Sequence, residues 1–83
     1  MNAMSAHDEC ELYKRFTAKR IARVLSLFDY RHLPPHLGAV SQPFHDLAHD
    51  LIKHLPGTDD ALECLNELLK AKDWAVRAAV KKD

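Results

Sequence analysis

The chain has 83 residues, with 12 basic and 12 acidic side chains that cancel at neutral pH. That length admits one domain with a small core. The balanced charge argues against a long nucleic-acid footprint, which leans on a large positive field. Cys10 and Cys64 are too few for a disulfide scaffold and lack metal-binding spacing, so two reduced, partly buried thiols in a cytosolic protein are expected. No stretch matches the apolar run of a membrane span, and Met1 to His7 lacks the pattern of a signal peptide.

The pattern predicts an all-α chain: an N-terminal helix followed by an antiparallel helical hairpin. The first helix is predicted over residues 8–29. Asp8 and Glu11 have capping-box spacing, and Leu12, Phe16, Ile21, Val24, Leu25 and Phe28 recur at helical intervals. Pro34 and Pro35 stop the helix, because proline lacks the N–H and restricts the residue before it. Residues 30–40 are therefore expected to form a structured loop.

Ser41 is read as the cap of a second helix over residues 41–55, with Pro43 in its first turn. Phe44, Leu47, Ala48, Leu51, Ile52 and Leu55 give it an apolar stripe. Pro56-Gly57 makes a tight turn across residues 56–58. Thr58 caps a third helix over residues 59–81, with Asp59 and Asp60 placed to suit its dipole. The short turn makes the last two helices antiparallel neighbours, with the third much longer than the second. Leu62, Leu65, Leu69 and Val76 mark one line of helix three, and Cys64, Leu68, Ala71, Ala75 and Ala78 a second. So wide a face suits either a three-helix core or contact between copies of the chain.

Three groups of residues carry possible chemistry. On helix one, Arg15, Lys19 and Arg23 stand in one row at four-residue spacing. Such a row suits phosphate oxygens, and Tyr13 beside it could stack on a base; a solvated charged face is the simpler alternative. His45 and His49 flank Asp46 as the histidines of a zinc protease flank their glutamate. A third ligand is lacking, so no metal and no cofactor are expected; the histidines are read as polar-face or loop-facing groups, with Asp46 and Asp50 as hydrogen-bond acceptors for them or for basic residues. The turn bearing Tyr30, Arg31 and His32 offers a rigid binding edge. No nucleophile beside a base, no P-loop and no dinucleotide fingerprint is present, and the chain is read as not an enzyme.

Three stretches together resemble a known family. Phe28-Asp29-Tyr30-Arg31-His32-Leu33-Pro34-Pro35 gives an aromatic-x-Tyr turn with His and Pro. Gln42 to Leu55 gives a short helix. Ala61 to Val80, with Ala71-Lys72-Asp73-Trp74-Ala75-Val76-Arg77-Ala78-Ala79, gives an Ala-rich helix containing Trp-Ala. The pattern resembles the helical hairpin-domain family of phage anti-defence nucleotide sponges, which counter the CBASS and Thoeris immune systems. Arg31 and Leu33 lengthen the turn relative to the compact family form, and Val76-Arg77 depart from its more uniformly small or polar helix. The resemblance implies a homo-oligomer, often a hexamer, in the host-cell cytoplasm. It implies binding of cyclic di- or trinucleotides, or of cyclic ADP-ribose isomers, without cleavage, in pockets shared between subunits. Tyr13, Arg15, Lys19, Arg23, Tyr30, Arg31 and His32 are the ligand-binding candidates; neither a long nucleic acid nor a membrane is an expected partner. The alternative is a helical protein-interaction module with no small-molecule ligand.

Overall fold

A computed structural model describes residues 6–80, and their side chains from residue 14 onward. Three helices, and no strand among the described residues, make up the fold: α1 (Ala6–Ser26), α2 (Pro35–His54) and α3 (Asp59–Val80). The connections are short, so consecutive helices run antiparallel and α1 and α3 share a direction. The all-helical class and the order of helices agree with the pattern of apolar positions. The element boundaries differ from those expected by two residues or more at three places, and α2 ends at His54, one residue early.

The chain is already helical at Ala6, so Asp8 lies inside α1 and not at its cap; the side chains of Asp8 and Glu11 lie outside the described residues. At the other end α1 stops at Ser26, three residues before the expected boundary. The amides of Leu27, Phe28 and Asp29 bond to the carbonyls of Val24, Leu25 and Ser26. These three-residue spacings tighten the last turn and satisfy carbonyls that the helix leaves open.

The largest correction concerns α2. It begins at Pro35, with Pro34 as its N-cap, and Pro43 lies inside it. Proline suits the first helical position, and both Pro35 and Pro43 could have occupied it. Pro35 does so, and the amides of Leu37 and Gly38 reach the Pro34 carbonyl at 3.0 and 2.8 Å. Residues 35–40 are therefore helix and not loop. Ser41 does not cap: it is fully buried in mid-helix, and its hydroxyl has no hydrogen-bond partner. Pro43 costs the Ala39 carbonyl its helical donor; both residues are exposed, so solvent can supply the missing bond. With 20 and 22 residues, α2 and α3 are nearly equal in length, contrary to the unequal hairpin expected.

Thr58 caps α3 as its position predicts, accepting the Ala61 amide at 3.3 Å. Asp59 and Asp60 occupy the first turn, where a negative charge is favourable.

The core is small. Ile21, Phe28, Ala48, Ala61, Leu62 and Leu65 are buried, and Val24, Leu25, Phe44, Ile52, Leu55, Leu68 and Leu69 pack around them. Phe28 and Leu65 are fully buried, and Phe28 anchors the α1–α2 connection. The second line of α3 contributes less than the wide apolar pattern suggests: Cys64, Ala71 and Ala78 are exposed. Cys64 is free and exposed, where a partly buried thiol was expected. The Lys72 side chain is mostly covered, and its ammonium donates to the Leu27 carbonyl at 3.1 Å. Beyond it Trp74 and Val80 stay exposed, as does Phe16 on α1. The molecule is elongated, with extents of 63 × 23 × 20 Å.

Two substitutions separate packing from polar burial. Leu65→Ala removes a fully buried side chain and should cost about 2–5 kcal/mol, enough to unfold a domain of this size. Ser41→Ala removes an orphaned hydroxyl and should leave stability unchanged or raise it by up to about 1 kcal/mol. Thermal denaturation followed by circular dichroism measures both; a clear loss of stability in Ser41→Ala would mean that the hydroxyl has a partner.

Candidate functional site

The site is built on the α1–α2 connection, because the burial of Phe28 fixes where the following residues stand. Asp29 is the first of them. One carboxylate oxygen accepts the Arg31 backbone amide at 3.1 Å and the Arg31 Nε–H at 3.0 Å. The other accepts from the terminal guanidinium nitrogen at 3.3 Å. Aspartate commonly closes turns by bonding to an amide two residues on, and here a bidentate guanidinium pair reinforces it. Those bonds, chiefly the one from the Arg31 side chain, hold the Asp29 carboxyl down at about 2. The same pair pushes the Arg31 pKa up. Arg31 is nevertheless exposed, so much of its surface remains open to solvent.

Tyr30 comes next. Its carbonyl accepts the Leu33 amide at 3.0 Å and so closes a turn over residues 30–33. Half-buried, it lies against the start of α2: a Cβ placed on Gly38 would meet the Tyr30 carbonyl and ring at 3.6 and 3.8 Å. The Tyr30 ring meets His45 edge-on at 5.1 Å between centroids. One helical turn later the His45 and His49 rings lie 4.2 Å apart, tilted by 41°. His45 Nδ1 lies 3.0 Å from an Asp46 oxygen. A carboxylate only accepts, so Nδ1 carries the proton. Burial, helped by the charges of His45 and Lys53, lowers the His49 pKa below the ordinary imidazole value against the opposing effect of Asp46.

Three grooves surround this connection. One, of about 290 Å³, runs from Tyr30, Arg31 and Leu33 to Gly38, Ala39 and Gln42 on α2. A second, of about 210 Å³, lies behind the turn between Leu25 and Ser26 of α1, Asp29 and Arg31, and His45 and His49 of α2. A third, of about 350 Å³, separates His32 and Leu33 from Lys72, Asp73, Val76 and Arg77 of α3. Arg31 borders the first two, between the phenol ring of Tyr30 on one side and the imidazoles on the other. Pro35, the first residue of α2, also lines the first groove.

The candidate residues fall into two sets. Tyr30, Arg31 and His32 are brought together on the turn, each bordering a groove. Arg15, Lys19 and Arg23 are exposed on α1 and border none of the three grooves. Tyr13 is part of α1, but its side chain lies outside the described residues. His45 and His49 are not among the ligand-binding candidates of the sequence, yet they border a groove with Arg31. Their four-residue interval puts them on one face of α2, and the contact of Asp46 with His45 agrees with the expected polar-face reading. Among the described residues, no group of three or more His, Cys, Asp or Glu side chains is placed to hold a metal. No helix among them is long and apolar enough to cross a membrane.

Comparison with protein-family models, curated proteins and solved structures finds no match to this chain.

The Asp29–Arg31 clamp has a pH signature. Its folded pKa is depressed from 3.8 to about 2. The stability it contributes is therefore present above the ordinary value and is lost as pH falls through that window. The carboxyl carbon of Asp29, followed by NMR, should titrate near the bottom of the window in the native protein and return toward its top in Arg31→Ala. Identical midpoints in the two proteins would show that the clamp does not form in solution.

Proposed function

We propose that this chain is a non-catalytic binding protein that captures a cyclic nucleotide signal at a boundary between copies of itself. The observation that carries this reading is the Tyr30–Arg31 turn. It sets a half-buried aromatic ring beside an exposed guanidinium, both bordering the groove of about 290 Å³. A ring offers a stacking surface to any base, and arginine is suited to phosphate. A cyclic di- or trinucleotide, or a cyclic ADP-ribose isomer, carries both features in one compact ligand. The resemblance to phage sponges points to the same ligand class and to a role in disarming CBASS or Thoeris signalling within an infected host cell. Sequestration requires affinity and abundance, with no bond broken. Ser26, the hydroxyl in the groove beside the two histidines, donates to the Arg23 carbonyl at 2.6 Å and is not asked to act as a nucleophile.

Assembly would account for the features that one copy leaves apart. Arg15, Lys19 and Arg23 border none of the three grooves of their own chain, and a second copy would supply them to its neighbour's groove. Phe16, Trp74 and Val80 are exposed by 63%, 67% and 57%, and association would bury such side chains at a gain of roughly 25 cal/mol per Å². The same exposed residues favour a second reading, a helical module that docks on a different protein.

Calorimetry with cyclic di-AMP, cyclic di-GMP, cyclic triadenylate and cyclic ADP-ribose tests the proposal. At least one should bind reversibly and be recovered intact by chromatography. Base stacking on an aromatic side chain contributes about 1–3 kcal/mol, so Tyr30→Ala should weaken binding by roughly ten- to hundredfold. Arg15→Ala/Lys19→Ala should weaken it as well, and native mass spectrometry should show an oligomer. Converted ligand would make the protein an enzyme. A ligand-free monomer that binds nothing in the panel would favour the interaction module.

A further inference from the structure

We propose that His45 and His49 form a proton-dependent anion subsite, which takes a phosphodiester when the pair carries a proton and so tightens ligand binding on acidification. The inference rests on the reading of the chain as a cyclic-nucleotide binder and assigns a further part of that site.

The geometry is that of two grooves that share Arg31. The groove of about 210 Å³ is walled by both imidazoles, with Arg31 at its edge, and the same Arg31 borders the Tyr30 groove. A ligand whose base stacks on Tyr30 and whose phosphate turns past Arg31 meets the histidines next. Tyr30 and His45 are in edge contact, and His45 and His49 are in ring contact. The phenol and the two imidazoles thus form one continuous wall.

The charges facing this wall are few. From the α1–α2 turn come Asp29 and Arg31, which neutralise each other in their bidentate pair. On α2 itself, Asp46 holds His45 Nδ1 at 3.0 Å, and Lys53 acts on His49 through its charge. Leu25 and Ser26, the α1 residues in the groove, do not titrate. Asp29, with its carboxyl at about 2, stays ionised through neutral and mildly acid pH. A phosphodiester keeps its single charge wherever imidazole titrates. Imidazole is the side-chain type in this groove suited to act as a proton-dependent switch.

Two imidazoles in contact share one proton more readily than they accept two, because the second charge is opposed by the first. In the free protein, burial and neighbouring positive charge hold His49 neutral to lower pH than usual. An arriving phosphate reverses that balance by favouring the charged ring. Ligand binding then draws a proton from solution, and by linkage acid strengthens binding. The sign is fixed: affinity is highest where the pair is already protonated and declines as pH rises through the pKa of the bound state.

The test is calorimetry of the four-member cyclic-nucleotide panel at several pH values between about pH 6 and about pH 8, in buffers of different ionisation enthalpy. A shift of about one pKa unit on the ring, within the range an adjacent opposite charge produces, corresponds to affinity about tenfold weaker at the upper end. Uptake of a fraction of one proton should appear as a buffer-dependent heat. His45→Gln/His49→Gln should bind more weakly at the acid end and show a flat pH profile. His45→Lys, charged across the whole range, should restore acid-end affinity and hold it at the alkaline end. Binding that is flat with pH in the native protein, or a double variant that keeps the native pH slope, overturns the subsite and leaves the cyclic-nucleotide reading in place. Failure of the whole panel to bind at every pH overturns both.

Discussion

The burial of Phe28 is the constraint from which the rest of the site follows. It lies just past the end of α1, in the same apolar cluster as Ile21 of α1, Ala48 of α2, and Ala61, Leu62 and Leu65 of α3. Inserting one large ring at the helix end commits the following residues to turn over the top of α2. Asp29 then reaches the Arg31 amide and guanidinium, Tyr30 lies against Gly38 and His45, and the chain enters α2 through Pro34. A core this small makes each of its members costly to lose. The mostly covered Lys72, whose ammonium donates to the Leu27 carbonyl, secures the same corner from α3.

The core and the candidate site meet on the same segment but are shaped by different forces. Apolar burial holds Phe28, while hydrogen bonds and opposite charge shape Asp29 to Arg31 just beyond it. The turn is rigid for reasons that do not depend on a ligand, which is the condition for binding without a large ordering cost. Exposed apolar side chains are spread over the molecule: Phe16 on α1, Leu27 at the start of the turn, Leu47 on α2, and Trp74 and Val80 toward the end of α3. Arg77 stacks over the Trp74 ring at 5.2 Å, a cation–π contact that tempers but does not cover the indole.

The histidines show how a motif's chemistry depends on what faces it. At four-residue spacing on a helix, His45 and His49 would suit a metal if a third donor stood opposite. What stands opposite is a phenol ring and an arginine already paired with aspartate. The proposed anion subsite rests on that environment: with Asp46 held on His45 Nδ1, the charge an imidazole pair can acquire is positive.

Much of the fold was legible in the chain itself. The apolar intervals of α1, α2 and α3 named the helices and most of the core, and Thr58 followed by two aspartates marked the start of α3. These are local signals: periodicity, capping chemistry and the breaking power of proline act over a few residues and can be read in order. Where two local signals competed, tertiary packing decided. Pro35 and Pro43 each suited a helix start, and Ser41 suited a cap, yet the helix starts at Pro35, where Gly38 packs against Tyr30, and Ser41 is left buried in mid-helix with its hydroxyl unpartnered. The set of grooves was likewise beyond the sequence. Arg15, Lys19 and Arg23 share a row because a helix repeats every few residues, but a row on one helix does not say which loop it will meet. The contact of Tyr30 with His45 joins residues separated by a turn and most of α2's first half. Only the packing of that turn back onto the helix creates it.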